Sequence, residues 1–160
     1  MNEFNLSEVK KRYEFIREKY KLPSFEEMNR DFYIEKIAGT ETDFLTREIR
    51  RFISDKIFNY LRFIETLINP VNAPMFVFSV IKSITPEDKK LLNDIYGKLS
   101  EIDLKLIRMD IDSSEKEDAE FISETFKIWG VIKKDLSGIL KKAKSASENK
   151  EEKNNSGYFG

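Results

Sequence analysis

TDFLTREIRRFISDKIFNYLRFIETLINP, residues 42–70, reads as one long helix, and its reading decides the fold. Thr40 or Thr42 supplies an N-cap. The Asn69-Pro70 pair stops the helix, because proline disfavours helical backbone in the residue before it. In the second half Ile57, Leu61, Ile64 and Ile68 form one stripe, Tyr60, Phe63 and Leu67 widen it, and Phe58 lies further round. At about 100° per residue these side chains cover an arc of roughly 220°, wider than the stripe of a surface helix. Such a helix lies at the centre of a bundle or is covered by a partner.

The flanking sequence supplies elements to pack on it. Leu6, Val9, Tyr13, Ile16 and Tyr20 recur at intervals of three and four, an amphipathic helix over Asn5 to Tyr20 that Pro23 ends. Ser24 and Glu27 fit a capping box for a short second helix carrying Phe25, Met28 and Phe32, with Gly39 as a hinge behind it. Thr85-Pro86-Glu87-Asp88 places Thr at the N-cap, Pro at the first helical position and an acid at the third, opening a helix with Leu92, Ile95, Leu99, Ile102 and Leu106. Ser114 and Glu117 form another capping box, ahead of Ala119, Ile122, Phe126, Trp129, Ile132, Leu136 and Ile139. Gly130 and Gly138 weaken that last helix, and Gly138 is a place for it to end or bend. Ile64, Leu99 and Phe126 are expected in the core.

These readings give an all-α fold: an antiparallel helical bundle of three long helices plus an N-terminal helix and a short linker helix. The bundle domain spans residues 1–144. Residues 145–160, SASENKEEKNNSGYFG, lose the helical period and read as a flexible charged tail with an aromatic tip. APMFVFSVI, residues 73–81, stands apart. Its composition favours a strand, yet no second strand is present to pair with it, so a buried short helix or extended plug is the simpler reading and a strand added to another chain the alternative.

The chain contains no histidine and no cysteine, which closes the commonest acid–base, covalent and zinc chemistry. Lys plus Arg number 28 against 29 Asp plus Glu, so no global field attracts a polyanion or an anionic membrane. The acidic run Asp110, Asp112, Glu115, Glu117, Asp118 and Glu120 fails as a calcium loop, because Glu115 stands where Gly is needed and Phe121 where a bidentate Glu is needed. It reads instead as an acidic first turn complementing a helix dipole. No Gly-rich phosphate loop exists, and no catalytic residue, metal or cofactor is expected. The start, MNEFNLSEVKKRYEF, lacks the apolar run of a signal peptide and the longest apolar stretch, Ala73 to Ile81, is too short for a bilayer, so a cytoplasmic protein without membrane contact is expected.

Two kinds of binding surface remain. Phe76 and Phe78 in the apolar segment, and Tyr158 and Phe159 at the tip of the tail, are candidates to hold a protein partner, since exposed aromatics commonly anchor interfaces. Arg47, Arg50 and Arg51, with Lys133, Lys134 and Lys141, are candidates to meet a phosphate backbone. Each basic group also has a local explanation, in Asp43 to Arg47 and Arg51 to Asp55 as i,i+4 pairs and in cations late in the last helix. The leading reading is a non-catalytic protein-interaction or scaffold protein. The alternative is a nucleic-acid-associated accessory protein.

The runs KLPSFEEMNRDFYIEKI (21–37), DFLTREIRRFISDKI (43–57), ETLINP (65–70), AEFISETFKIW (119–129) and GYFG (157–160) resemble a small all-helical family of archaea whose function is not known. The resemblance implies a helical fold and brings no activity. After Asn69-Pro70 the family's segment is more polar than MFVFSVI here, and there this chain departs from it.

Overall fold

The computed structural model describes residues 5–156, which fold as α1 (Leu6–Tyr20), α2 (Phe25–Phe32), a 3-10 turn (Ile34–Gly39), α3 (Leu45–Ile68), α4 (Met75–Ile81), α5 (Pro86–Ile111) and α6 (Glu115–Ser156). Local chemistry starts most of them. Asn5 accepts from the Ser7 N–H ahead of α1, and Ser24–Glu27 and Thr85–Asp88 are complete capping boxes. Ser114 and Glu117 exchange the equivalent bonds before α6. Helices α1 and α2 end on left-handed residues, Lys21 (φ 57) and Tyr33 (φ 56), conformations that cost a side chain about 1–2 kcal/mol and that the packing on either side must impose.

Helix α3 is the centre of the molecule. It packs against each of the other five helices and the 3-10 turn, most extensively against α5. Arg50 near the start of α3 meets Asp110 at the end of α5 and Asp118 at the start of α6, while Lys142 late in α6 meets Asp88 at the start of α5. The long helices therefore run up, down and up. Ile49, Ile53, Ile57 and Ile64 of α3, Leu92 and Leu99 of α5, and Ile122, Trp129 and Ile132 of α6 fill the core between them. Helices α1 and α2 and the 3-10 turn close one side, and the Tyr13 hydroxyl donates to the Pro23 carbonyl at 2.7 Å while its ring meets Phe25 edge-on.

The structure departs from the sequence reading at several points. Neither threonine caps α3. Its N-cap is Phe44, with no side-chain bond, and Thr42 instead accepts the N–H of Phe44 two residues on, ahead of the helix. Gly39 is no hinge; it ends the 3-10 turn, which buries Ile34 and Ile37. The segment 75–81 is helical, neither strand nor extended plug, but it is not buried: Val77 is 1% exposed whereas Met75 is 87% and Phe76 66%. A helix of two turns lying on α3 and α6 turns one side inward and leaves the rest outside. Phe126 is half-buried, and Phe121 takes the deep position instead.

Helix α6 also runs further than its sequence period. Gly130 and Gly138 cost about 1 kcal/mol each against alanine, less than the packing of Trp129, Ile132, Leu136 and Ile139 around them returns. The helix then passes the expected boundary at residues 144–145 and continues to Ser156. Nothing breaks it there, since Lys, Glu and Ala are strong helix formers and Lys144 pairs with Glu148 one turn on at 3.8 Å. Ala143 is the last buried residue among those whose side chains are described, so the following turns extend beyond the core.

Trp129 packs against Tyr60 and Phe32, with ring centroids 5.0 and 6.2 Å away. Trp129→Ala is expected to cost about 3–5 kcal/mol in denaturant unfolding, and Phe126→Ala clearly less because its ring is only half-covered. Equal costs would mean that the α6 face is misplaced. Stability should also fall in acid. The Asp88 carboxyl lies below the ordinary aspartate value, held there first by the Lys142 hydrogen bond and then by the Thr85 N–H, and Glu27, Glu115 and Glu117 are lowered by bonds from Ser24, Lys19 and the Ser114 N–H. For a lowered acid the stabilisation is complete above its unfolded pKa and is lost as pH falls through the folded one. Melting temperature should therefore drop below about pH 4, and Lys142→Met should flatten that dependence. Identical acid limbs in the two proteins would contradict the Asp88 account.

Candidate interaction surfaces

The basic candidates do not form one surface. The Arg50 side chain is 5% exposed, with Nε 2.9 Å from Asp118 Oδ1 and Nη1 donating to Asp110 Oδ1 at 2.6 Å, so it is closed to phosphate. Arg51 reaches back to Glu48 at 3.0 Å, an i,i+3 pair in place of the expected bridge to Asp55, and Arg47 lies 4.9 Å over the Phe44 ring. Beside them is a cleft of about 460 Å³ lined by Arg47, Glu48, Arg50 and Arg51 on one wall and Asp110, Asp112 and Ser113 on the other. Charges of both signs line it. Glu48 Oε2, Arg50 Nε, Ser113 Oγ and Asp118 Oδ1 are buried at this corner without an aligned hydrogen bond. Burial pushes the Asp118 carboxyl above the usual aspartate value although Arg50 pulls the other way.

On α6, Lys133 binds both carboxylate oxygens of the buried Asp31 at 2.7 and 3.0 Å, which ties α6 to α2. Lys134 and Lys141 are exposed. Asp31 also accepts, through its backbone carbonyl, from Lys56 of α3. The Lys56 ammonium lies 5.7, 5.4 and 5.2 Å from the ring centres of Phe32, Tyr33 and Trp129, and burial lowers its pKa while Asp31 works in the opposite sense. Sequence reading missed this cage, because its rings come from the end of α2 and from α6 and its lysine from α3, elements that meet only in the folded chain. Of the acidic run, Asp110 and Asp118 serve Arg50, Glu115 accepts from Lys19 and Tyr20, and Glu117 caps α6. Among the described residues no group of three His, Cys, Asp or Glu side chains stands close enough to hold a metal ion. Among the same residues no helix is long and apolar enough to cross a membrane.

Apolar side chains are a different matter. Phe76 and Phe78 are exposed, as are Ile68 at the end of α3, Val71 in the connection and Met75. These residues fall within a short span on either side of one corner, and Val77 fixes that span to the bundle. A second apolar feature was missed by sequence reading. Between α5 and α6 runs a groove of about 380 Å³, floored by the buried Ile102, Phe121 and Thr125, with exposed Ile128 and Val131 at its edge and Lys98, Glu101, Lys105 and Glu124 around its rim. The Lys105–Glu124 bridge, 2.6 Å, crosses it. The signal was present, since Ile128 and Val131 fall off the α6 core stripe and still are apolar. Along the outer face of α5, Leu104, Ile107 and Ile111 are exposed as well. Tyr158 and Phe159 lie outside the described residues. Comparison of the chain with models of protein families, with curated proteins and with solved structures finds no match.

Proposed function

We propose that this chain is a non-catalytic protein-interaction or scaffold protein that holds a partner through the α3–α4 corner. One observation carries the reading: Ile68, Val71, Met75, Phe76 and Phe78 are exposed together on a segment whose only buried residue is Val77. Apolar side chains gathered in this way mark an interaction site on a soluble domain, and aromatics and methionine are the residues enriched there. The fitting partner presents apolar side chains of its own, such as one face of an amphipathic helix. The bundle contributes rigidity, because α4 is held against α3 and α6 and does not have to order itself on binding. Burial of Arg50 and the pairing of Lys133 with Asp31 weigh against the alternative, a nucleic-acid-associated protein, which keeps only Arg47, Arg51, Lys134 and Lys141 as candidates.

A photo-crosslinking residue in place of Phe76, set against the same residue in place of Lys134, tests this in the native cell. One recurrent protein adduct is expected at position 76 and none at 134. With the captured partner purified, Phe76→Ala together with Phe78→Ala should weaken binding at least about 30-fold and leave the melting temperature nearly unchanged, because both rings are exposed. Nucleic-acid adducts at position 134 with no protein adduct at 76 would reverse the order of the two readings.

A further inference from the structure

We propose that the groove between α5 and α6 is the receptor for the Tyr158-Phe159 pair of a second copy of this chain, so that copies associate head to tail. The proposal rests on the reading that the chain works by holding proteins, and it assigns a second site and its occupant. The groove has an apolar floor, with Phe121 deeply buried, a charged rim, and partly exposed Ile128 and Val131 at its edge, the form that accepts an aromatic anchor. The occupant is indicated by how α6 presents it. Between Leu140 and Tyr158 the sequence holds no apolar side chain larger than alanine, so nothing in that stretch can lay the helix back on the bundle. Two aromatics then follow at Tyr158 and Phe159.

Geometry decides between the chain's own groove and that of a neighbour. Helix α6 both forms one wall of the groove and leads to the aromatic pair. From Ile128 to Ser156 it rises about 42 Å at ~1.5 Å per residue. Tyr158 is two residues further on, a reach of about 7 Å even when fully extended. The pair therefore cannot return to its own groove while α6 is helical, whereas the groove of another copy is open to it. A contact between two unlike surfaces is heterologous, and it continues from copy to copy until a ring closes.

The test is analytical ultracentrifugation of the full chain and two variants, each checked for unchanged helicity and melting temperature. One variant carries Tyr158→Ala and Phe159→Ala; the other carries Ile128→Glu and Val131→Glu at the exposed edge of the groove. The parent chain should show a mass that rises with concentration, and each variant alone should associate at least about 30-fold more weakly. Mixed together, the two variants should form a one-to-one complex, because one retains a groove and the other the aromatic pair. A monomeric parent chain would overturn the proposal, as would association untouched by either variant. Failure of the mixture to form a complex would overturn it too, and loss of association in the groove variant alone, with the tip variant unaffected, would indicate groove-to-groove pairing instead. Methyl shifts at Ile128 and Val131 on removing the tip of a monomer would show docking within one chain and would likewise overturn it. None of these outcomes bears on the position 76 crosslink, so the two readings fail separately.

Discussion

Two charges taken out of water at one corner, Arg50 of α3 and Asp118 of α6, constrain how the long helices can sit. Each ion costs several kcal/mol to bury, and only close, well-placed opposite charge offsets that. Arg50 lies against Asp118 at 2.9 Å and against the more exposed Asp110 of α5 at 2.6 Å, so one guanidinium ends up shared by all three long helices. Sliding α3 or α6 by a turn, about 5.4 Å, would strand a buried charge, a larger loss than most hydrophobic repackings. The compensation is incomplete. Burial still outweighs Arg50 in setting the Asp118 carboxyl, which stands above its usual value, whereas at Asp88 the Lys142 and Thr85 hydrogen bonds outweigh burial and lower it.

The same device recurs along the bundle. Lys133 and Lys56 converge on Asp31 and join α2, α3 and α6; Lys142 on Asp88 closes the opposite end of α5 and α6 from Arg50; Lys19 and Tyr20 hold Glu115 and tie α1 to α6. Charge is thus spent largely on joining helices to one another. Apolar side chains show the reverse distribution, with a filled core and a remainder outside at the α3–α4 corner, in the α5–α6 groove and along α5. Arg50 is buried, whereas Lys19, Lys133 and Lys142 reach their acidic partners from exposed positions, so the joining charges sit mostly at the rims of the helix contacts.

Helix identity was legible in the sequence wherever period and caps agreed, as at Ser24–Glu27, Thr85–Asp88 and Ser114–Glu117, because those signals depend on residues within one turn. The wide arc of α3 allowed a central helix or one covered by a partner; α3 is central, with Phe58 and Ile68 of the arc left exposed. What could not be read depended on contacts between elements. Arg50 falls on the stripe of Ile53, Ile57 and Ile64, whereas Arg47 and Arg51 lie to one side of it, so the helical period carried a signal of its burial; which acids would meet it depended on the approach of α5 and α6. Phe121 and Phe126 are both plausible core residues by spacing, and the helix crossing chooses Phe121. The end of α6 was misplaced for a different reason: a polar stretch without period still forms helix when its residues favour it and nothing stops them. Phe76 and Phe78 were singled out by composition, and both are exposed, on a short helix that sequence reading expected to be buried.

The corner pair tests the account most directly through a double-mutant cycle in equilibrium unfolding, using Arg50→Met, Asp118→Leu and the two together. If Arg50 and Asp118 are the joint that sets the three long helices, Arg50→Met leaves the buried Asp118 alone and costs about 3–5 kcal/mol, Asp118→Leu costs less because Arg50 keeps Asp110, and the double change costs clearly less than the sum because no stranded carboxylate remains. Single costs that are small and simply add would show that the two charges are solvated independently, and the arrangement of α3, α5 and α6 would then need another cause.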